Sequence, residues 1–205
     1  MMTAAAGLRR AALERVARFG PVPMERLHIE PFEPSFALER SMWIVHNTKV
    51  SLALDRLIAV GKTGCALWLN DDSDPRELFR FMHTEGLVED LAHTPEQLME
   101  LFLDLHTYPF TPKLLRSLND IDEWEGTDTM WVEARERDRE RIASLRDQFY
   151  PPEAIPGSPL KLDFWAWSPL GGVVARWHVE FGNDGTGDII YDEVMDRVGR
   201  YFLLI

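Results

Sequence analysis

Asp163 and His178 are residues whose types and spacing could support acid–base chemistry. They lie in two runs, 160–168 and 173–181, in which apolar and polar residues alternate on either side of the turn Pro169-Leu170-Gly171-Gly172. Such alternation predicts two paired β-strands. When residue 168 is placed opposite residue 173, Asp163 faces His178, and a carboxylate in that position can orient an imidazole as a general base. Because no nucleophile or oxyanion motif accompanies the pair, an ordinary polar contact between strands is the simpler interpretation.

The same register places two tryptophans and an arginine on the face that carries this pair. Trp165, Trp167 and Arg176 could form a stacking platform for a planar or sugar ligand, or a hot spot for a protein partner. The alternative is that helices cover this face and bury the indoles as a second core layer. That alternative is favoured in a chain with several amphipathic helices.

The opposite face of the predicted hairpin contains only apolar residues. Each residue of the first strand meets an apolar residue of the second, and the pairs are Leu160 with Phe181, Leu162 with Val179, Phe164 with Trp177, and Ala166 with Ala175. A shift of one residue would turn the apolar set of one strand away from that of its partner. The pattern therefore predicts the register of the hairpin as well as its existence.

Three acidic residues at intervals of four follow one face of a predicted helix. They are Glu96, Glu100 and Asp104, and we call them the acid stripe. The surrounding segment, 70–104, contains ten acidic residues and only two arginines. We interpret the stripe as a candidate surface for a basic protein partner, and a solvated helix face that aids solubility is the alternative.

Gly61-Lys62-Thr63-Gly64 shares the Gly-Lys-Thr core of a phosphate-binding loop. The full pattern requires a glycine five residues before the Gly-Lys pair, and that position is Arg56. The run also follows a predicted helix over residues 49–60, whereas a phosphate loop precedes one. We therefore predict a turn that ends this helix.

The histidines and the single cysteine give no complete metal or nucleophile motif. His28-Ile29-Glu30 matches a fragment of a zinc-deaminase signature, but the required pair of cysteines is absent. His93 and His106 flank one predicted helix, and their spacing alone is weak evidence for a metal site. Cys65 lies in an apolar run, where a thiol behaves as a small hydrophobic group. We expect neither a metal ion nor a cofactor.

The remaining elements are predicted from helix-start sequences and periodicity. Asp74-Pro75-Arg76-Glu77 and Thr94-Pro95-Glu96-Gln97 both resemble a capped helix start. The predicted helices are 4–18, 49–60, 75–84, 95–106, 111–118 and 130–148. The predicted strands are 65–69, 160–168, 173–181 and 188–191, the last followed by a helical or irregular segment and a buried end. Segments 20–35 and 150–159 are rich in proline and predicted to be connectors.

Composition limits what the whole chain can do. The 205 residues include 34 acidic and 22 basic side chains, for a formal net charge of −12, which argues against generic binding to a nucleic-acid backbone. No apolar run approaches the roughly 18 residues of a membrane-spanning helix. The first twenty residues contain four arginines and one glutamate, which fits an ordinary first helix or, as the alternative, an organelle-targeting peptide. We expect a soluble cytoplasmic protein without membrane association.

These patterns predict an α+β fold in one domain, residues 1–205. Helices occupy residues 1–150, a connector occupies 150–159, and an antiparallel β-rich part occupies 160–205. We expect a non-enzymatic acidic interaction protein of an adaptor, regulatory or toxin-neutralising type. The alternative is an enzyme or small-ligand binder that uses the outward face of the 160–181 hairpin. A deep pocket lined by Asp163, His178, Trp165, Trp167 and Arg176 would favour that alternative.

Overall fold

A computed structural model describes residues 27–32, 42–47, 58–61, 63, 65–69, 74–107 and 110–202. The first strands in this part form an antiparallel meander in the spatial order β1-β2-β3-β4. Their bounds are β1 (Leu27–Phe32), β2 (Met42–Asn47), β3 (Ile58–Val60) and β4 (Ala66–Trp68). β1 contains Pro31 and lies at an edge of this sheet, where a residue without an amide proton is tolerated.

Three helices follow the meander. They are α1 (Pro75–Thr84), α2 (Leu87–Leu91) and α3 (Pro95–Thr107). The Asp74 carboxylate caps α1 by accepting a hydrogen bond from the Arg76 amide at 3.0 Å, and Pro75 occupies the first turn, where the missing amide proton costs nothing. Gly86 separates α1 from α2 with a φ of 67°, a left-handed conformation that glycine adopts without steric cost.

The second sheet occupies the C-terminal part and is antiparallel throughout. Its strands are β5 (Lys113–Leu115), β6 (Glu153–Ile155), β7 (Leu160–Ser168), β8 (Val173–Phe181) and β9 (Gly187–Met195), and helix α4 (Thr129–Ala143) lies between β5 and β6 in sequence. The spatial order is β5-β7-β8-β9, and β6 also pairs with β7. The β7–β8 register runs from Leu160 opposite Phe181 to Ser168 opposite Val173, as the apolar pattern predicts.

The two faces of the second sheet contribute to separate buried clusters. One face packs with the helices α1–α3 in a cluster that includes Phe79, Phe102, Phe164 and Trp177. This cluster also contains Leu67 of β4, so the helices and both sheets share apolar contacts. The other face carries a smaller cluster with Trp165, Trp167, Leu115, Ile121, Leu145, Val174 and Val198. Because both faces of the sheet are buried here, residues 164–167 of β7 are all apolar and do not alternate with polar residues.

The C-terminal segment is fixed to the β7–β8 turn and to α4. The amide of Val198 donates to the carbonyl of Gly172, and the indole of Trp167 donates to the carbonyl of Val198 at 2.9 Å. Asp138 is the buried acid of α4, and its carboxylate accepts a hydrogen bond from the Gly199 amide at 3.0 Å. These bonds satisfy polar groups that would be costly to bury unpaired.

The predicted α+β class and the antiparallel C-terminal sheet are confirmed. The helices starting at Pro75 and Pro95 have the predicted extents within one residue. The long helix predicted at 130–148 is α4, followed by turns to residue 148. The strand predicted within 65–69 is β4, and the strand at 188–191 is the first half of β9.

Several predicted elements are wrong. Residues 58–60 form β3, so the helix predicted over 49–60 does not include its last turn, and residues 49–57 lie outside the described residues. A strand, β5, replaces the predicted helix at 111–118. Strands also occur inside the connectors, as β1 and β6. In each case pairing with a distant strand overrides the local pattern. The predicted helix 4–18 lies outside the described part of the chain.

The last described residue is exposed, whereas the sequence predicts a buried end. Phe202, at the predicted buried end, is 45% exposed, and residues 203–205 are outside the described residues. Among the described helices, none has both the length and the apolar character needed to cross a lipid bilayer.

Candidate functional site

Asp163 joins Tyr150 and His178 on the outward face of the β7–β8 hairpin. Its Oδ2 atom lies 3.0 Å from Nδ1 of His178, and its Oδ1 atom accepts a hydrogen bond from the Tyr150 hydroxyl. Both members of the predicted pair are about one-third exposed. Burial, together with the hydrogen bond and negative charge of Asp163, raises the pKa of Tyr150, so the phenol remains a hydrogen-bond donor at neutral pH.

The imidazole of His178 is thus oriented through one nitrogen only. Its Nε2 atom has no hydrogen-bond partner among the described residues, and a neutral histidine that donates from Nδ1 has its acceptor at Nε2. This arrangement can accept a proton from a molecule that meets the sheet face. No hydroxyl or thiol nucleophile of the described chain is hydrogen-bonded to His178.

Ion pairs between strands flank the Asp163–His178 pair on the same face. Lys161 of β7 contacts Glu180 of β8 at 2.5 Å, and Arg176 of β8 contacts Asp192 of β9 at 2.9 Å. Arg176, a predicted binding residue, is therefore engaged by a neighbouring carboxylate. Opposite charges neutralise each other here, so this part of the face presents little net charge.

The indoles of Trp165 and Trp167 are buried, which is the interpretation favoured from the sequence. Their exposed fractions are 0% and 1%. Phe149 and Tyr150 pack against Trp165, and Val198 accepts the hydrogen bond of Trp167. A stacking platform at these two residues is therefore closed, because a ligand would first have to displace the segments that cover them.

The acid stripe lies on α3, and Arg116 spans two of its members. The guanidinium of Arg116 donates through Nε to Glu96 at 2.6 Å and through Nη2 to Glu100 at 2.9 Å. Arg116 and Glu96 are each about half exposed, and Glu100 is 28% exposed. The hydrogen bonds that Arg116 donates to Glu100 and Glu96 raise the pKa of its guanidinium, so the cation persists at every physiological pH. The stripe is thus a surface that holds a guanidinium.

Asp104 forms the more buried end of the stripe. Burial raises its pKa to about 6, a hydrogen bond with Thr111 acts in the opposite direction, and the charge of Glu100 raises the pKa further. The three stripe residues therefore differ in environment. Two carboxylates face a guanidinium at the surface, and the third is held in a drier site where ionisation is unfavourable.

The Gly61 turn is closed by a carboxylate of the same chain. The amide of Thr63 donates to Glu85 at 3.0 Å, and the Thr63 hydroxyl donates to the same carboxylate. Gly61 lies so close that a Cβ atom there would be 2.0 Å from Cδ of Glu85. The predicted turn exists, but it joins β3 to β4 rather than ending a helix. Glu85 takes the place where an anion would meet the Thr63 donors.

The other candidate ligands and nucleophiles are dispersed. His93 and His106 are near opposite ends of α3, and a helix of this length spans about 20 Å. The ring of His106 packs on Phe102 and Trp177. Within the described residues, no cluster of three histidine, cysteine or acidic side chains could hold a metal ion. His28 lies in β1.

A small cleft lies between α4 and the C-terminal segment. Its lining includes Trp124, Arg135, Asp138, Arg139 and Gly199, and its internal volume is about 10 Å³. This volume is about that of one water molecule, whereas sites for small organic ligands occupy roughly 300–1,000 Å³. The cleft therefore has no room for a substrate of ordinary size.

Arg116, Tyr150 and Glu85 are contact residues that sequence reasoning did not identify. Arg116 reaches α3 only because β5 pairs with β7, and no spacing in the sequence indicates that contact. Tyr150 lies in the proline-rich connector, and its contact with Asp163 depends on the pairing of β6 with β7. Glu85 follows α1, and its contact with Thr63 joins segments 22 residues apart that no local spacing relates. Gly61, where a side chain would collide with Glu85, is the local signal of this close approach.

The chain was also compared with known proteins. No protein-family model, no curated protein and no solved structure matches it. Its function is therefore inferred from its own side chains.

Proposed function

We propose that this chain is a non-enzymatic interaction protein that binds a basic partner protein through the acid stripe on α3. An adaptor, a regulatory protein or a toxin-neutralising protein would all use such a surface. The single observation that carries the proposal is the guanidinium of Arg116, held by Glu96 and Glu100 at 2.6 and 2.9 Å. The stripe has the spacing that an arginine side chain requires.

The exposure of these groups supports exchange with a partner. Arg116 and Glu96 remain about half exposed while paired, and exposed ion pairs are weak because water competes for both charges. A partner arginine could therefore replace Arg116 at small cost, and the surrounding acidic segment would attract it at long range. Arg116 would then act as an internal competitor.

The proposal is tested with matched charge-neutral variants. The probe is a labelled peptide of alternating arginine and glycine, and binding is measured by fluorescence anisotropy at about 0.02 M and about 0.5 M salt. We expect the triple variant Glu96→Gln, Glu100→Gln, Asp104→Asn to weaken binding at low salt by roughly threefold to tenfold, because each exposed pair contributes a factor of about two.

The control removes the same three negative charges from a different helix. Glu133, Glu136 and Glu140 are exposed on α4, and their replacement by glutamine should change binding much less. Equal losses in the two triple variants would show that net charge alone attracts the peptide, and that result would reject the stripe as the binding surface.

A second candidate is supported by the oriented imidazole of His178. The Asp163–His178 contact of 3.0 Å, with Tyr150 bonded to the other carboxylate oxygen, is the arrangement that a general base requires. On this alternative, the open part of the hairpin face binds a small molecule and His178 accepts its proton. The buried indoles and the paired Arg176 favour the interaction protein over this candidate.

A further inference from the structure

We propose that the outer edge of β9, which pairs with no other described strand, binds a basic, extended segment of another protein, which adds a strand to the second sheet. This surface is separate from the acid stripe, and the inference does not depend on the proposed function. Three observations carry it: the outer edge of β9 has no strand partner within the described part of the chain, its apolar side chains are exposed, and its charge is negative.

Among the described strands, the long strand β9 has one neighbour, β8. It pairs with β8 from Gly187, opposite Phe181, to Met195, opposite Val174, and it ends the spatial order of the described strands. The Ile189 amide is hydrogen-bonded to the Asp188 carboxylate at 3.0 Å, which indicates that this amide faces away from β8. Amides two residues apart face the same side of an antiparallel strand, so those of Tyr191 and Glu193 share this edge.

The side chains of β9 are unusually exposed for apolar residues of a sheet. Ile190 is 58% exposed and Tyr191 is 48% exposed. Because neighbouring residues of a strand lie on opposite faces, an added strand would bury surface on both sides of the sheet. The Tyr191 ring already contacts Trp177 edge-on, with centroids 4.7 Å apart. Because this contact restricts the ring before binding, its contact with a partner costs little side-chain entropy.

The negative charge of β9 and of the residues that flank it favours a basic segment as the added strand. Residues 182–196 contain five acidic residues and no lysine or arginine, and three of them, Asp188, Asp192 and Glu193, belong to β9. Asp192 is paired with Arg176 of β8. Asp188 and Glu193 have no ion pair among the described residues and carry the uncompensated charge of the strand. In a pairing of β9 with β9 of a second copy, carboxylates would lie beside carboxylates, which is unfavourable between adjacent strands. A strand that carries lysine or arginine at alternate positions would place opposite charges together. In strand addition of this kind, backbone hydrogen bonds hold the added segment, and every second side chain of the segment contacts the same face of the sheet.

The test uses a labelled peptide of alternating lysine and valine with the full chain. The matched control peptide has the same sequence with an N-methyl group on every backbone amide, so it keeps the charge but cannot donate a backbone hydrogen bond to the β9 edge. With the first peptide, we expect hydrogen exchange at the amides of Ile189, Tyr191 and Glu193 to slow by roughly tenfold or more. Equal slowing with the N-methylated peptide, or no slowing with either peptide, would overturn the proposal.

Variants then separate the β9 edge from the acid stripe. We expect Asp188→Asn, Asp192→Asn, Glu193→Gln to weaken binding of the lysine–valine peptide by roughly threefold to tenfold. The α4 variant with glutamine at 133, 136 and 140 should bind this peptide nearly as the parent does, and so should the stripe variant. A stronger loss in the stripe variant would overturn the proposal and leave the stripe as the binding surface. A stable dimer of the chain alone, paired through β9, would show that the edge binds a second copy of the chain, and this result would also overturn the proposal.

Discussion

Asp104→Asn should stabilise the protein at neutral pH, because it removes a carboxylate that is held in an unfavourable site. Burial is the largest cause that raises the pKa of Asp104 from 3.8 to about 6. A group whose pKa is higher in the folded state stabilises the fold when protonated, and this contribution is lost as the pH rises. For Asp104 the loss extends from about pH 4 to about pH 6, between the unfolded and folded values.

The size of the effect follows from the same two values. A pKa difference between 3.8 and about 6 corresponds to about 3 kcal/mol in the unfolding free energy. Since asparagine keeps only part of the hydrogen bonding with Thr111, we expect a net gain of about 1–3 kcal/mol for the variant above pH 6. Near pH 4 the variant and the parent should differ little from each other.

The assay is chemical denaturation of both proteins in a pH series from about 4 to about 8. The control is Glu140→Gln, which neutralises an exposed acid of α4 and should show no comparable dependence on pH. If the stability difference between Asp104→Asn and the parent were constant over the series, or decreased as the pH rose, the inferred burial of a disfavoured carboxylate would be refuted.

Two further predictions concern the hairpin. Phe164→Ala should cost about 3–5 kcal/mol of unfolding free energy, because Phe164 is fully buried and its ring contacts Trp177 and Phe102. The control, Ile190→Ala on the exposed face, should cost less than about 0.5 kcal/mol. A loss under about 1 kcal/mol for Phe164→Ala would be inconsistent with its burial. Asp163→Asn should remove the preference of neutral His178 for a proton on Nδ1, as measured by ¹⁵N chemical shifts of the imidazole. Unchanged shifts would show that Asp163 does not orient the ring.

The register of the β7–β8 hairpin was predictable because residues that are close in sequence determine it. Phe164 and Trp177 face each other in a register that two alternating runs and one short turn determine together. The Asp163–His178 contact then follows from the register without further knowledge of the fold. The same register could not tell whether Trp165 is covered, since that depends on the position of α4 and of the chain after β9.

The first three strands of the meander and β5 were not predictable by the same reasoning. Val50, Leu54, Leu57 and Ile58 fit a helical spacing, yet Ile58 pairs with Val45 and Trp68 in the sheet. Thr111-Pro112 resembles a helix start, but Leu114 pairs with Ala166, which is far away in sequence. Short apolar runs are ambiguous between helix and strand, and only the distant partner decides.

For the acid stripe too, contacts within one helix were predictable and contacts with distant segments were not. The spacing of Glu96, Glu100 and Asp104 placed them on one face of α3, as the structure has them. The contact of Arg116 with Glu96 and Glu100 and the burial of Asp104 depend on β5 and the segment before it. Local spacing therefore identified the carboxylates but not their counter-ion.

The most direct measurement is the affinity of Arg116→Ala for the arginine–glycine peptide at low salt. If the stripe binds a partner guanidinium, removal of the internal competitor should strengthen binding by roughly threefold to tenfold. The matched control is Arg146→Ala, which removes one exposed positive charge that has no ion pair among the described residues. Binding that is unchanged in Arg116→Ala, or strengthened equally in both variants, would contradict a stripe that recognises arginine.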